Sequence, residues 1–252
     1  MEPITLRNLI IGAGRPKIVV PLTARTIPEL VREAAALSES PAQMAEWRVD
    51  FFERPEDTSA LLEAAAALRQ ALGELPLLAT FRRLQEGGQG RVSLNRYAVV
   101  LETLALSGCA DLIDIELSAG EDFLGREMDF CRSHGVKVLL SSHDFQTTPG
   151  MPAMLGKLGL MEALGADVVK LAVTPQTPMD LINLLDATLT FSRSAACPVV
   201  TMSMGPLGRL SRVSGEIFGS ALTFAAVGSA SAPGQLQADM AAELLELFSP
   251  EW

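Results

Sequence analysis

Eight short runs of β-like composition recur about every thirty residues, and each is followed by an alanine- and leucine-rich stretch with helical periodicity. The runs span residues 17–22, 44–50, 75–82, 111–117, 136–144, 167–175, 198–205 and 221–227. The helical patterns between them span residues 27–37, 58–72, 94–107, 121–133, 151–164, 179–195, 210–218 and 236–248. That spacing is the spacing of βα units in a parallel sheet, and eight such units are what a closed (β/α)8 TIM barrel requires. At 252 residues the chain has the length of one such barrel. No composition shift or linker divides it, so the reading is an α/β protein with a single barrel domain over residues 1–252, with an open doubly wound sheet as the alternative architecture. An opening segment, residues 4–12, has strand-like content on both sides of Arg7 and Asn8. It reads as a β-hairpin that plugs one end of the barrel.

Helix boundaries are marked chemically. Thr26, Asp57 and Thr177 stand where N-caps belong, with Pro28 and Pro178 at first helical positions. Gly73, Gly108, Gly135 and Gly165 follow helical patterns and lead into the next run.

The sixth run, DVVKLAV, sets Lys170 among apolar residues on a strand whose two faces both read as buried. An amine there loses hydration, so its pKa falls from about 10.4 and it becomes a usable nucleophile toward ketones. A lysine paired with a carboxylate, or one reaching for the barrel mouth, would look similar in sequence. Strand alternation widens the anomaly. It places Glu46, Arg48, Arg82, Asp114, Glu116, His143 and Lys170 inside, while Trp47, Val49, Ala79, Phe81, Ile113, Ile115 and Leu140 face the helices. Buried charges cost several kcal/mol each unless paired, and most of these lie toward the C-terminal ends of their runs, where barrel enzymes assemble their sites. Asp114 and Glu116 read as counter-charges for Lys170 or the arginines. A hard cation between them is the other reading.

His143, in SSHDF, ends the run adjacent to that of Lys170, so both side chains can reach one substrate. The other histidine, His134, sits before Gly135, where a cation at a helix C-terminus is the simpler account. Glu86, ahead of two glycines, can fold back toward the mouth. The segment 205–212 offers backbone amides at a helix start and Arg212 on its first turns, a site for phosphate or carboxylate. The small-residue stretch 228–235 has the composition of a mobile lid or an ordinary βα loop.

A net charge of -10 disfavours nucleic acid or an anionic membrane as partner, so an anionic small-molecule substrate would need a local arginine cluster. Cys109, Cys131 and Cys197 form no CxxC pair, which fits a reducing, cytoplasmic setting, and no metal-ligand motif such as HxH or HExxH occurs. No basic start with an apolar core and no apolar run of about 20 residues is found.

The motifs EWRVD at Glu46, TFR at Thr80, EGG at Glu86, DLIDIEL at Asp111, SSHDF at Ser141, DVVKLAV around Lys170, TMSMG at Thr201, SR at Ser211, GEIFGSALTF at Gly215 and SAPGQ at Ser231 follow one another along essentially the whole chain. In this order and spacing the chain resembles the type I 3-dehydroquinate dehydratases, the Schiff-base-forming dehydroquinases of the shikimate pathway. The resemblance implies an eight-stranded barrel closed at its N-terminal end by a hairpin, a homodimer, and no cofactor or metal. It implies that Lys170 forms the imine, His143 shuttles protons, and Glu86 orients His143. Glu46, Arg48 and Arg82 would hold substrate hydroxyls, Arg212, Ser231 and Gln235 the substrate carboxylate, and Met202, Met204 and Phe224 the apolar walls. Two departures stand out: Pro21 replaces a serine common in the family, and GPLGRL replaces a more polar loop. A Schiff-base aldolase acting on a phosphorylated sugar, and a catalytically silent barrel that binds a small acid, are the competing readings.

Overall fold

Apolar residues at alternate positions decide which way each strand faces, and in the computed structural model they do so around a full circle. The structure describes residues 2–228 and 231–250. Among these, eight parallel strands follow in the order β10-β3-β4-β5-β6-β7-β8-β9, with a separate antiparallel pair β1-β2. The pair is Ile4–Leu6 (β1) and Leu9–Ile11 (β2); the sheet comprises Lys17–Leu22 (β3), Met44–Arg48 (β4), Leu77–Thr80 (β5), Leu112–Glu116 (β6), Lys137–His143 (β7), Val168–Val173 (β8), Val199–Ser203 (β9) and Leu222–Phe224 (β10). The β9/β10 seam nearly closes the barrel: Ala221 N–H donates to the Val199 carbonyl at 2.7 Å, and the Ser220 hydroxyl accepts from Thr201 N–H at 3.1 Å.

Helices α1 to α6 are Ile27–Ala36, Thr58–Leu72, Leu94–Leu106, Glu121–Ser133, Met151–Ala163 and Pro178–Ser192; α7 is Gly215–Phe218 and α8 is Ala238–Leu247. Thr26 with Glu29, and Thr177 with Asp180, form capping boxes, and the Asp57 carboxylate accepts from Ala60 N–H. The four glycines expected as helix stops all have positive φ. No helix among the described residues is long and apolar enough to cross a membrane.

Two elements differ from the sequence expectation. Several strands are shorter than their runs because they pass into 3-10 turns at Val49–Phe51, Leu84–Glu86 and Leu117–Ala119. The helix expected over residues 210–218 is instead a 3-10 segment, Pro206–Arg212, followed by the four-residue α7. The cause is local. Gly208 lies so close to the Ser203 carbonyl that any Cβ would overlap it, and the Ser211 hydroxyl both accepts from Ser203 N–H (2.9 Å) and donates to the Gly208 carbonyl (2.7 Å). The tight turn satisfies these groups, so Arg212 stands in the last turn of this segment and not on the first turns of an α-helix.

The interior is divided by height. At the N-terminal end Val19, Met44, Leu78, Leu112, Leu139 and Val168 form a dry layer, sealed from below by Leu6 and Ile11 of the hairpin. The outward residues Trp47, Val49, Ala79, Phe81, Ile113, Ile115 and Leu140 join the core between sheet and helices. The hairpin is tied down by charge: Arg7, at the turn with φ 53°, donates through Nε to Asp111 Oδ1 at 2.7 Å, while Asp111 Oδ2 accepts from Leu77 N–H at 2.8 Å.

Ile11 is completely buried under the barrel floor. Truncating Ile11→Ala leaves a cavity that the floor cannot close, and we expect a loss of about 2–5 kcal/mol in urea unfolding. kcat should be unchanged, since the floor lies at the end opposite the charged residues.

Candidate active site

Above the apolar layer, the next inward positions carry charge. Thr80 closes β5 and donates to Glu46 Oε1 on β4 at 2.9 Å, and two residues later the chain inserts Arg82 across the barrel. Its guanidinium meets Asp114 Oδ2 at 2.6 Å and Glu116 Oε1 at 3.2 Å, donates to Ser141 Oγ at 2.9 Å, and lies 3.8 Å from Glu86 Oε2. Burial by itself would lower the arginine's pKa, but Asp114, Glu116 and Glu86 outweigh it and raise it further. Asp114 answers in kind. Burial would raise its carboxyl, yet Arg82, Lys170 and the Ser141 hydroxyl hold it below the usual range.

Lys170 pairs across the β7/β8 ladder with Ser141, one strand from Asp114. Val168 and Ala172 share its inward face, and Val169, Leu171 and Val173 lie on the helix side, as alternation requires. Its Nζ is 3.7 Å from Asp114 Oδ2 and 4.1 Å from the centroid of the Phe224 ring, with no hydrogen-bond acceptor among the described residues. Burial is the main force depressing its pKa, opposed by Glu46 and Asp114 and reinforced by Arg82 and Arg48. The net effect makes the amine easier to deprotonate than an exposed lysine.

His143 is held by Glu86. Oε2 of the carboxylate lies 3.0 Å from ring Nδ1 and accepts the His143 backbone N–H at 3.1 Å. With Nδ1–H donated to the carboxylate, Nε2 is the free basic nitrogen. Burial, then Arg82, Lys170 and Arg48, push the imidazole's pKa well below its ordinary value, so it is neutral at neutral pH. Glu86 moves oppositely: burial raises its carboxyl to about 7 despite Arg82 and the Ser118 hydrogen bond.

Arg212 is a further cation of the cavity, beside Arg48, Arg82 and Lys170. It is buried, donates to the Phe224 carbonyl (3.4 Å), the Pro233 carbonyl (3.1 Å) and weakly to Met202 Sδ (4.0 Å), and has no carboxylate partner among the described residues. Burial lowers its pKa to about 10, which leaves it charged at neutral pH. An unpaired buried guanidinium is a site for an anion.

Every residue expected at the site lines one cavity of about 140 Å³: Glu46, Arg48, Arg82, Glu86, His143, Lys170, Met202, Met204, Arg212, Phe224, Ser231 and Gln235. One water requires about 10–15 Å³ on this measure, so the cavity suits a small organic molecule and no polymer. None of residues 205–211 lines it, so of the anion site expected there, for phosphate or carboxylate, only Arg212 faces the cavity and the backbone amides do not. Pro21 lies opposite Glu46 in the sheet but outside the cavity wall. Of the lid expected over residues 228–235, Ser229 and Ala230 lie outside the described residues, and Gln235 Oε1 accepts from Ser231 N–H at 2.8 Å. His134 is apart from the site, capping α4 through Nδ1 and the Phe130 carbonyl at 2.9 Å.

Four participants escaped the sequence reading. Asp50 grips Arg48 with two hydrogen bonds of 2.8 Å and also accepts from Arg82 N–H and Gln89 N–H. Its place two residues beyond Arg48 was an available signal. Phe145 stacks beside His143 at 6.4 Å between ring centroids, and its ring fills the space where a Cβ of Gly87 would be. Ser118 donates to Glu86, and Arg83 donates to Ser118, both from turns where no periodicity could announce them.

A family model described as type I 3-dehydroquinase matches residues 18–250 of the chain. The chain is 45% identical over 249 residues to the 3-dehydroquinate dehydratase of Syntrophotalea carbinolica, covering 98% of both, and 42% identical to that of Listeria welshimeri over the whole of each. Among solved structures it superposes with a TM-score of 0.95 and 40% identity on a type I 3-dehydroquinate dehydratase from Clostridium difficile bearing covalent modified comenic acid, with 98% of each chain covered.

The position of Glu86 has a cost to stability that can be measured. Its folded pKa of about 7 exceeds the unfolded value, so the folded state binds more protons between these values and stability falls as pH rises across that interval. Glu86→Gln removes the cost. It should be more stable than wild type at pH 8, by an amount on the order of 3 kcal/mol, with the difference vanishing near pH 4. Parallel calorimetric pH series showing no convergence at low pH would contradict the assignment.

Proposed function

The chain belongs to the type I 3-dehydroquinase family, and from that premise we infer that it eliminates water from 3-dehydroquinate to give 3-dehydroshikimate through an imine on Lys170. The observation that carries the reading is the convergence on one cavity of a buried amine and an arginine that have, among the described residues, no hydrogen-bond acceptor and no counter-ion respectively, beside a neutral histidine backed by a carboxylate.

The roles follow from that geometry. Lys170 adds to the C3 ketone, and the carbinolamine loses water to a protonated imine, with Asp114 as counter-charge. The iminium draws electrons from C2, so His143 Nε2 takes the C2 proton and leaves an enamine. The enamine expels the C1 hydroxyl as His143 returns that proton, and the group departs as water. A second water then hydrolyses the imine, frees the product and restores the amine; the net change is loss of one water. Arg212 receives the substrate carboxylate with Ser231 and Gln235, while Glu46, Arg48 and Arg82 meet the ring hydroxyls and Met202, Met204 and Phe224 pack its apolar edges. Asp50 fixes the Arg48 fork. The reaction is the third step of the shikimate pathway toward chorismate and aromatic amino acids. The reading extends to a homodimeric, cytoplasmic enzyme, supported by the family's habit of pairing and by free cysteines at 109, 131 and 197.

Lys170→Ala should abolish both borohydride-trappable adduct and dehydration. His143→Ala should behave otherwise: it still forms the imine but loses about 10² to 10⁴-fold in rate, and so accumulates adduct on Lys170. Intact and peptide mass spectrometry after mixing with dehydroquinate reads both outcomes, and an adduct on any other lysine would refute the mechanism.

Arg212→Ala should raise KM by an amount equivalent to about 1.5–3 kcal/mol with kcat little altered, because its contact is made in substrate and transition state alike. A slow variant of undiminished affinity would show that Arg212 serves the chemistry instead.

A further inference from the structure

Glu86 divides its two oxygens. Oε2 serves His143, and Oε1 lies 2.6 Å from the hydroxyl of Ser118, which donates to it. That hydroxyl in turn accepts from Arg83 Nη2 at 2.8 Å. Arg83 has little freedom. It is buried, its Nε meets Glu116 Oε2 at 2.6 Å, its backbone N–H meets Glu116 Oε1 at 2.7 Å, and its guanidinium lies 5.2 Å from the Tyr97 ring centroid. A guanidinium can only donate, so Arg83 occupies an acceptor side of the hydroxyl and leaves its proton directed at Glu86. The chain Arg83, Ser118, Glu86, His143 therefore has one donor sense along its length.

We propose that Ser118, fixed by Arg83, is a positioning residue that presents the Glu86 carboxylate to His143 and so sets the rate of proton transfer at the substrate. The proposal rests on the roles of Glu86 and His143 given above. The groups facing Glu86 are Arg82 of its own loop, Asp114 and Glu116 of β6, and His143 of β7; those facing His143 are Arg48 of β4, Arg82, Glu86 and Lys170 of β8. All of them stay in place when Ser118 is changed. Ser118 itself is exposed, in the turn Leu117–Ala119 at the barrel rim, so a substitution there perturbs the carboxylate and not the core.

The sign of the effect is set by which form of Glu86 the hydroxyl favours. A donor stabilises the ionised carboxylate, and its loss makes Glu86 harder to ionise. Ser118→Ala should therefore shift the acid limb of kcat upward by about half to one pH unit and lower kcat at pH 7 by about twofold to sixfold, with KM within about twofold. Borohydride trapping on Lys170 should remain complete, and Ser118→Thr, which keeps the hydroxyl, should restore the wild-type limb. A Ser118→Ala profile that superimposes on wild type, a loss of kcat uniform in pH, or a failure of Ser118→Thr to rescue would overturn the proposal. Glu86→Gln measured alongside separates the two levels. If it is crippled while Ser118→Ala is normal, only the Ser118 assignment falls; if Glu86→Gln is itself fully active, the role given to Glu86 falls with it.

Discussion

A guanidinium inside a barrel is tolerable only if carboxylates meet it there, and the upper half of this structure is arranged around that requirement at Arg82. Asp114 and Glu116 supply the charge from one strand, Ser141 a hydrogen-bond acceptor from the next, and Glu86 a more distant carboxylate from the following loop. Removing one partner from such a buried set typically costs about 3–5 kcal/mol, because the remaining charge is stranded. The set is therefore rigid, and the groups beside it inherit fixed positions. Lys170 stands near Asp114, and Arg83 shares Glu116 with Arg82. The placement of Lys170 and Glu86 here follows from satisfying a buried cation.

The same crowding separates the protonation preferences of neighbouring groups. Glu86 is driven upward by burial and by the carboxylates around Arg82, whereas His143 and Lys170 are driven downward by burial and by shared cations. A neutral base beside a depressed amine is the combination an imine-forming elimination requires near neutral pH. The floor of the barrel, by contrast, is built from apolar side chains such as Val19, Met44, Leu78, Leu112, Leu139 and Val168.

Much of this arrangement was legible in the residues before any coordinates. Strand alternation alone assigned inward and outward faces correctly from Glu46 to Lys170, because a parallel sheet covered by helices makes every polar inward residue conspicuous. The resemblance to dehydroquinases then supplied roles that alternation could not. What escaped lies where local pattern carries no signal. The 206–212 segment tightens into a 3-10 turn because Gly208 must lie against the Ser203 carbonyl, a contact between residues whose composition suggests an ordinary helix start. Ser118 and Arg83 act through distances of 2.6 and 2.8 Å fixed by two separate loops. Asp50 could have been inferred from its spacing to Arg48, but its further bonds to the backbone at residues 82 and 89 depend on how the third loop folds back.

The hairpin that seals the N-terminal end has a kinetic meaning. With Leu6 and Ile11 packed into the lowest layer of side chains, the barrel is closed at this end among the described residues. Whatever binds in the cavity is therefore confined to entering and leaving at the opposite, C-terminal end, where Arg212 and the described residues Ser231 to Gln235 line the wall. Arrival and departure therefore cannot overlap: each turnover ends only when the cavity has emptied, and product that lingers competes directly with the next substrate for the same doorway.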